Sequence, residues 1–484
     1  MVETAVPRIT PDVPATGLVD LRRAHFVGIG GMGMLPVARV CAERGYTVSG
    51  SDARPSVRLE ALAQCGVRVA AGQRESNVPT DATAVVFTHA VGADNPEIVH
   101  ARKQGIPVVH RSTVLRTLMA GHPSVAVMGT HGKSSTSAMI AFALARLGQD
   151  PSYVAGADLD VPGSGGHAGA GGLFVAEVDE SDRTHIGMSM DVAVITSIAH
   201  DHAENYADEG DVVRAFEECV ARGLAGHGWL ILNADSAGCR ELAARLAQSG
   251  PLTKVVMVGE SPDAAWRLSQ VSGAYGRPSA VLSGPDGVSV GLTLRVPGVH
   301  QLMNAAAALV TLHTLCQDFQ QAAVELSYFD GARRRMTSAG EAAGVRVYDS
   351  FAHHPDEVSA DLAAARSLDD VTGGKVIVVF QPPDSRRLEV FGDAFAQALS
   401  TCDHLILTDG THGLPASALR GLSARVDAAR GHAGQVVPER AEASAYAARA
   451  ARPGDVVVLM GSGDIVESGP QLLATLAAPA LASA

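Results

Sequence analysis

The chain reads as a three-domain α/β protein: a Rossmann-like N-terminal domain, a central domain built on a phosphate-binding loop, and a C-terminal open α/β domain of Rossmann-like design. Two observations predict this. In three places an apolar, strand-like run breaks at glycine and gives way to a new pattern, the punctuation of parallel α/β sheets. The length, 484 residues, suits about three domains at roughly 150 residues each. The boundaries are expected at residues 1–121, 122–330 and 331–484.

The first break is His25-Phe26-Val27-Gly28-Ile29-Gly30-Gly31-Met32-Gly33, followed by a helical run from Leu35 to Arg44. Gly28, Gly30 and Gly33 match GxGxxG. The next strand, Tyr46 to Asp52, ends in an acid 24 residues after Gly28. Such glycines let a pyrophosphate approach the backbone, and the acid reaches a ribose or base. Strand-like runs at Ala84–Thr88 and Ile106–His110 extend the same sheet.

The second break follows Val125–Met128: Gly129-Thr130-His131-Gly132-Lys133-Ser134-Ser135-Thr136, then a helix from Ala138 to Arg146. Loop N–H groups and the helix dipole face an anion, Lys133 adds a full charge, and Ser134 can ligate Mg²⁺. The common loop has a further glycine six residues before its lysine. Val127 stands there, so this is a short variant. The glycine-rich stretch from Gly156 to Gly172 is expected to hold a mobile loop. Leu173–Glu177 and Val192–Thr196 read as buried parallel strands. Glu177, Asp179, Glu180 and Asp182 follow the first, and His200, Asp201 and His202 the second. Ligands of doubly wound sheets sit at strand carboxyl ends, so both clusters should face the loop and suit a Mg²⁺ site. Glu177 and His202 carry the functional expectation. Asp182 and Asp201, each taken alone, read as solvated loop charges.

The third region holds strand candidates at Val345–Asp349, Lys375–Phe380, His404–Leu407 and Asp455–Met460, the last running into Gly461-Ser462-Gly463-Asp464. Before it, Gly331-Ala332-Arg333-Arg334-Arg335 reads as a hinge with cations placed to meet phosphate.

Composition narrows the classes. The formal charge of −13 and 4% aromatics argue against a nucleic-acid or anionic-membrane surface and against base-stacking platforms. The six cysteines form no CxxC pair, so a zinc ribbon or disulfide frame is not indicated. No apolar run approaches the ~18 residues of a membrane helix. Residues 1–20 lack a signal-peptide pattern and read as a loose leader. A cytoplasmic location fits.

From Phe26 to about Pro470 the chain resembles the Mur ligases. The resemblance rests on Gly28–Gly33, Gly129–Thr136, Glu177-Val178-Asp179-Glu180-Ser181-Asp182, Asp201-His202, His300 with Asn304, Arg334-Arg335, and Ala352-His353-His354-Pro355. It implies an ATP-dependent ligase that joins an amino acid to a UDP-linked muramic acid, releasing ADP and phosphate. The motif set is nearest to the branch that adds L-alanine to UDP-N-acetylmuramate, and implies a role in peptidoglycan synthesis. The UDP-sugar would lie on Gly28, Gly30, Gly31, Met32, Gly33, Ser51 and Asp52. ATP would lie on Gly129, Thr130, His131, Gly132, Lys133, Ser134, Ser135, Asn304 and Arg335. Mg²⁺ would be held by Ser134, Glu177 and His202. Lys133, Glu177, His202, His353 and Arg387 would carry catalysis, and the third domain would take the amino acid.

Some positions depart from the family pattern. Ser134-Ser135 replaces two threonines and keeps the hydroxyls. Asp349-Ser350-Phe351 replaces an acid–acid–tyrosine run. Gln381-Pro382-Pro383-Asp384-Ser385-Arg386-Arg387 puts Pro383 for a histidine and Asp384 for an arginine, while Arg387 is kept. An arginine replaced by Asp384 is expected to reverse a charge beside an anionic substrate. The second reading is therefore a diverged relative that uses another amine or acceptor, in specialised metabolism or muropeptide recycling. Two readings from other classes are a nicotinamide-dependent oxidoreductase, suggested by the first glycine motif, and a non-catalytic nucleotide-binding regulator. Neither gives Lys133, Glu177 and His202 a joint task.

Overall fold

The computed structural model describes residues 17–159, 161, 163–249, 254–369, 373–409, 413–431 and 433–478; most of the expected leader lies outside them. Three sheets form two compact units. One comprises 1–269, 282–290 and 303–326, and the other 270–281, 291–302 and 327–484.

The first unit carries two sheets. β1 (Arg23–Val27), β2 (Thr47–Asp52), β3 (Arg68–Ala71), β4 (Ala84–Phe87) and β5 (Val108–His110) lie in the order β3-β2-β1-β4-β5, all parallel. The order reverses direction at β1, so a crevice opens at its carboxyl end. Gly28 turns the chain there with φ 75°. Gly50 lets β2 pass close by: a Cβ on it would lie 2.6 Å from the Phe26 carbonyl oxygen.

In the second sheet, β6 (Ser124–Met128), β7 (Ser152–Val154), β8 (Gly166–His167), β9 (Phe174–Glu177), β10 (Met190–Ile195), β11 (Leu224–Asn233) and β12 (Lys254–Gly259) take the order β12-β11-β10-β6-β9-β7-β8. All but β8 pair in parallel. β6 is central and fully buried, which explains its unbroken apolar run. The glycine-rich stretch expected as a loop contains β8. Gly166 lies against Pro36, where a Cβ would be 2.2 Å from the Pro36 carbonyl oxygen. Beyond β12 the same sheet continues through β13 (Trp266–Ser272), β14 (Ser279–Ser283) and β15 (Ser289–Thr293), ten strands in all.

The second unit holds β16 (Arg335–Ala342), β17 (Val345–Ser350), β18 (Val376–Phe380), β19 (His404–Leu407), β20 (Gln435–Val436) and β21 (Val456–Met460), in the order β16-β17-β21-β18-β19-β20. Only the β16–β17 pair is antiparallel. Val376, Val378 and Phe380 face one core, Ile377 and Val379 another, so helices cover both faces. The four strands expected here are present, joined by β16 and the short β20.

Candidate active site

Three strand ends build the central site. In the parallel ladder Val127 of β6 lies opposite Glu177 of β9, and Met128 opposite Ile195 of β10. The carboxyl ends are level, so the segments that follow them meet. Gly129 (φ 118°) and Gly132 (φ 86°) bend the loop after β6. A Cβ on Gly129 would lie 2.6 Å from Thr196 Oγ1, and one on Gly132 would lie 2.5 Å from Asn304 Oδ1. The Thr130 N–H donates to the Ser197 carbonyl and the His131 N–H to Ser197 Oγ, each at 2.9 Å. Lys133 opens the helix Lys133–Arg146. Its ammonium donates to the Gly129 carbonyl at 2.6 Å and to Glu180 Oε1 at 3.0 Å. A fixed loop, a helix N-terminus and an ammonium at one point form an anion site.

Carboxylates line the loop. Glu177 Oε1 accepts from Ser134 Oγ at 3.1 Å, and its other oxygen accepts from the Gly156 N–H. Asp179, Glu180 and His202 bring their ligand atoms within 4.8 Å of one another. His202 stands at φ 53°, with its N–H on Asp201 Oδ1 at 2.7 Å. Burial works against charge on Lys133, but the carboxylates of Glu180, Asp179 and Glu177 overcome it and hold its pKa above the ordinary value. Burial also opposes charge on Asp179, yet Arg111 and Lys133 hold that group well below the usual carboxylate range. Ser134 with Glu177 is a hard oxygen pair of the kind Mg²⁺ takes, and His202 sits with the other acids. Asn304 lies at the loop, its Oδ1 accepting from Thr136 Oγ1 at 3.4 Å. Beside it is a crevice lined by Ile195, Thr196, Ile231, Asn233, Met303 and Asn304.

Two expectations are corrected. Asp182 and Asp201 are not solvated charges: they are 8% and 6% exposed. Asp182 accepts the Thr184 hydroxyl and N–H at 2.5 and 3.1 Å.

At the first sheet, the Gly30 N–H donates to Asp52 Oδ2 at 3.0 Å, and the Gly28 N–H to the Ser51 carbonyl at 2.8 Å. Ser51 is fully buried, its hydroxyl donating to Glu97 Oε2 at 2.6 Å. Ser51 therefore shapes the crevice from behind, while Asp52 stands at the glycine loop. Sequence reasoning missed Arg111. It follows β5, packs on Gly33, where a Cβ would lie 3.2 Å from Nη1, and donates to Asp179 Oδ2 at 2.5 Å. The glycine loop of one sheet is thereby tied to the acid run of the next.

In the second unit, Phe351 is the centre of a cationic cluster. The Arg334 and Arg335 guanidinium carbons lie 4.5 and 5.2 Å from its ring centroid. Arg334 (φ 62°) donates to the Gly461 and Gly463 carbonyls at 2.8 Å. His353 Nδ1 donates to the Phe351 carbonyl at 3.0 Å, and Arg387 Nη1 to the His353 carbonyl at 3.3 Å. Asp384 has a local partner. Its carboxylate accepts the Arg387 N–H at 2.9 Å and caps the helix Ser385–Leu399. The charge complements a helix N-terminus and does not stand unpaired in a pocket.

Fold and site define a multidomain α/β protein that carries a phosphate-binding loop ringed by carboxylates. Profiles of the Mur ligase family match three successive stretches: the catalytic domain over residues 23–123, the middle domain over 127–312 and the glutamate ligase domain over 334–463. The chain belongs to the Mur ligase family, whose members are ATP-dependent ligases. It is 42% identical to the UDP-N-acetylmuramate–L-alanine ligase of Streptomyces avermitilis, over 93% of this chain and 97% of that one. With the enzyme of the same name from Acidothermus cellulolyticus it shares 41%, over 94% and 95%. Among solved structures, the UDP-N-acetylmuramate-alanine ligase of Thermotoga maritima superposes with a TM-score of 0.80 at 27% identity, covering 93% of this chain and 98% of that one.

Proposed function

We propose that this chain joins L-alanine to the lactyl carboxylate of UDP-N-acetylmuramate through an acyl phosphate, with ATP converted to ADP and phosphate, as a cytoplasmic step of peptidoglycan precursor synthesis. The observation that carries the reading is the convergence of Lys133, Ser134, Glu177 and Glu180 at two level strand ends, in a chain that matches relatives of that activity over nearly its full length. The domains are taken as 1–121 for the UDP-sugar, 122–330 for ATP and 331–484 for the amino acid.

Lys133 and the loop N–H groups would hold the β- and γ-phosphates, and Asn304 the adenine end beside its crevice. Phosphoryl transfer needs chiefly positioning and neutralisation of charge, and a fixed loop supplies both. Ser134 and Glu177, with His202, would hold Mg²⁺, which when bound neutralises phosphate charge. Asp52 and the glycines from Gly28 to Gly33 would take the UDP moiety. In the second unit, Arg335 would meet phosphate, and Arg387 with the neighbouring His353 would serve the incoming amine or the oxyanion it creates.

A second reading keeps the chemistry and changes the amine or acceptor. Phe351 favours it, since this aromatic ring occupies the guanidinium pair of Arg334 and Arg335. Phosphate release with ATP, Mg²⁺, UDP-N-acetylmuramate and a panel of amino acids decides between them. Activity confined to L-alanine supports the first reading, and activity only with another amine or acceptor supports the second.

A further inference from the structure

Three metal-ligating side chains converge in the first unit at the end of the acid run that follows β9. His89 follows β4, His110 ends β5, and Asp182 lies in the run after β9. Their ligand atoms all lie within 4.8 Å of one another. Asp182 Oδ2 is 3.1 Å from His110 Nε2 and 3.6 Å from His89 Nδ1. None of these three atoms makes a hydrogen bond of acceptable geometry, although all are inaccessible to solvent. His110 and Asp182 are only 4% and 8% exposed. Buried polar atoms left this way are costly and call for a missing partner.

The geometry points to a cation site in which His89 Nδ1, His110 Nε2 and Asp182 Oδ2 hold one zinc-class ion and leave a fourth position open. Ligand bonds of about 2.0–2.1 Å in a tetrahedral site put neighbouring ligand atoms roughly 3.3 Å apart, and the two distances above bracket that value. Two imidazoles and one carboxylate suit Zn²⁺ or Co²⁺ over Mg²⁺. His110 is oriented from behind: Nδ1 contacts Ser112 Oγ at 2.9 Å and Ser112 N at 3.3 Å. Nδ1 accepts the Ser112 N–H here, and the hydroxyl stands where it would take a proton from Nδ1 once Nε2 ligates a cation. Burial lowers the His110 pKa and so favours the neutral ring. The nearest cation, Arg111, is paired with Asp179. The His89 side chain is 38% exposed although its Nδ1 is buried.

The test uses the full chain, stripped with a chelator and kept in excess Mg²⁺, and titrates Co²⁺ while visible absorption is read. One equivalent should give the bands of tetrahedral Co²⁺, and Zn²⁺ should displace them. His89→Ala should weaken binding at least ~10-fold while leaving the metal-free thermal midpoint unchanged, and Asp182→Asn should also lose the bands. His202→Ala should keep them. No saturable Co²⁺ signal, a signal unchanged in His89→Ala, or a signal that disappears with His202 instead, would overturn the assignment. No substrate enters the assay, so its outcome is separate from the ligase reading.

Discussion

The Lys133 ammonium lies 3.0 Å from the carboxylate of Glu180, whose side chain is 2% exposed. The loop after β6 and the acid run after β9 are thus joined by a buried charge pair. Removing one member strands the other in low dielectric, which typically costs about 3–5 kcal/mol. Lys133→Ala should therefore lower stability in urea melts by roughly 3 kcal/mol and reduce ATP-dependent phosphate release by about 10³-fold, with UDP-sugar binding intact. The double variant Lys133→Ala with Glu180→Gln should recover most of the stability and none of the activity. Equal loss of UDP-sugar binding would refute separate sites.

Asp384 gives a second prediction. As an N-cap its removal costs about 1 kcal/mol, and a cap does not choose the amine. Asp384→Ala should shift the urea midpoint by that amount and leave amino-acid preference unchanged. Asp384→Asn, which can still accept the Arg387 N–H, should retain both. A switch in preferred amino acid with either variant would return this residue to the pocket.

Much of this was legible in the sequence, for physical reasons. Fully buried parallel strands such as β6, β18 and β21 read as continuous apolar runs, and glycine marks where each turn leaves the sheet. Lys133, Ser134 and Glu177 were readable because each lies just past such a run. The weakly apolar strands β3, β7, β8 and β16 gave no such signal. Arg111, Glu97 and the His89–His110–Asp182 cluster were missed because their roles arise from contacts such as Ser51–Glu97, Arg111–Asp179 and His110–Asp182, 46 to 72 residues apart in sequence. The cap formed by Asp384 was missed for a related reason: a helix N-terminus is invisible to a residue-by-residue alignment of charges.

Stability of the second unit should depend on pH through Asp361. Burial raises its pKa to about 7, against hydrogen bonding from Ser350 Oγ at 2.5 Å. Unfolded, the group titrates near 3.9. Between these values the folded state binds more protons at Asp361, so this group's contribution falls as pH rises through the window, against a rising contribution from His300, whose pKa burial lowers to about 4. Asp361→Asn should remove that downward slope between about pH 4 and pH 7. Chemical denaturation of both proteins across the window measures it. An identical slope in the variant would assign the effect elsewhere.

Gly156 should set the Mg²⁺ requirement. Its N–H donates to one Glu177 oxygen while Ser134 Oγ donates to the other. A Cβ at this position would lie 2.4 Å from Glu177 Oε1, closer than nonbonded atoms approach, and no rotation of a methyl group relieves that. Gly156 has no positive φ, so backbone strain does not enter and the clash falls on the carboxylate alone. Gly156→Ala should push Glu177 away from Ser134 and raise the Mg²⁺ concentration for half-maximal phosphate release about 10–100-fold, the range for a lost orienting contact at a metal site. Gly226→Ala, at a glycine of the same unit with no positive φ and nothing near its Cβ, controls for glycine substitution as such. An unchanged Mg²⁺ dependence in Gly156→Ala would remove Glu177 from the metal site and leave the metal to Asp179, Glu180 and His202.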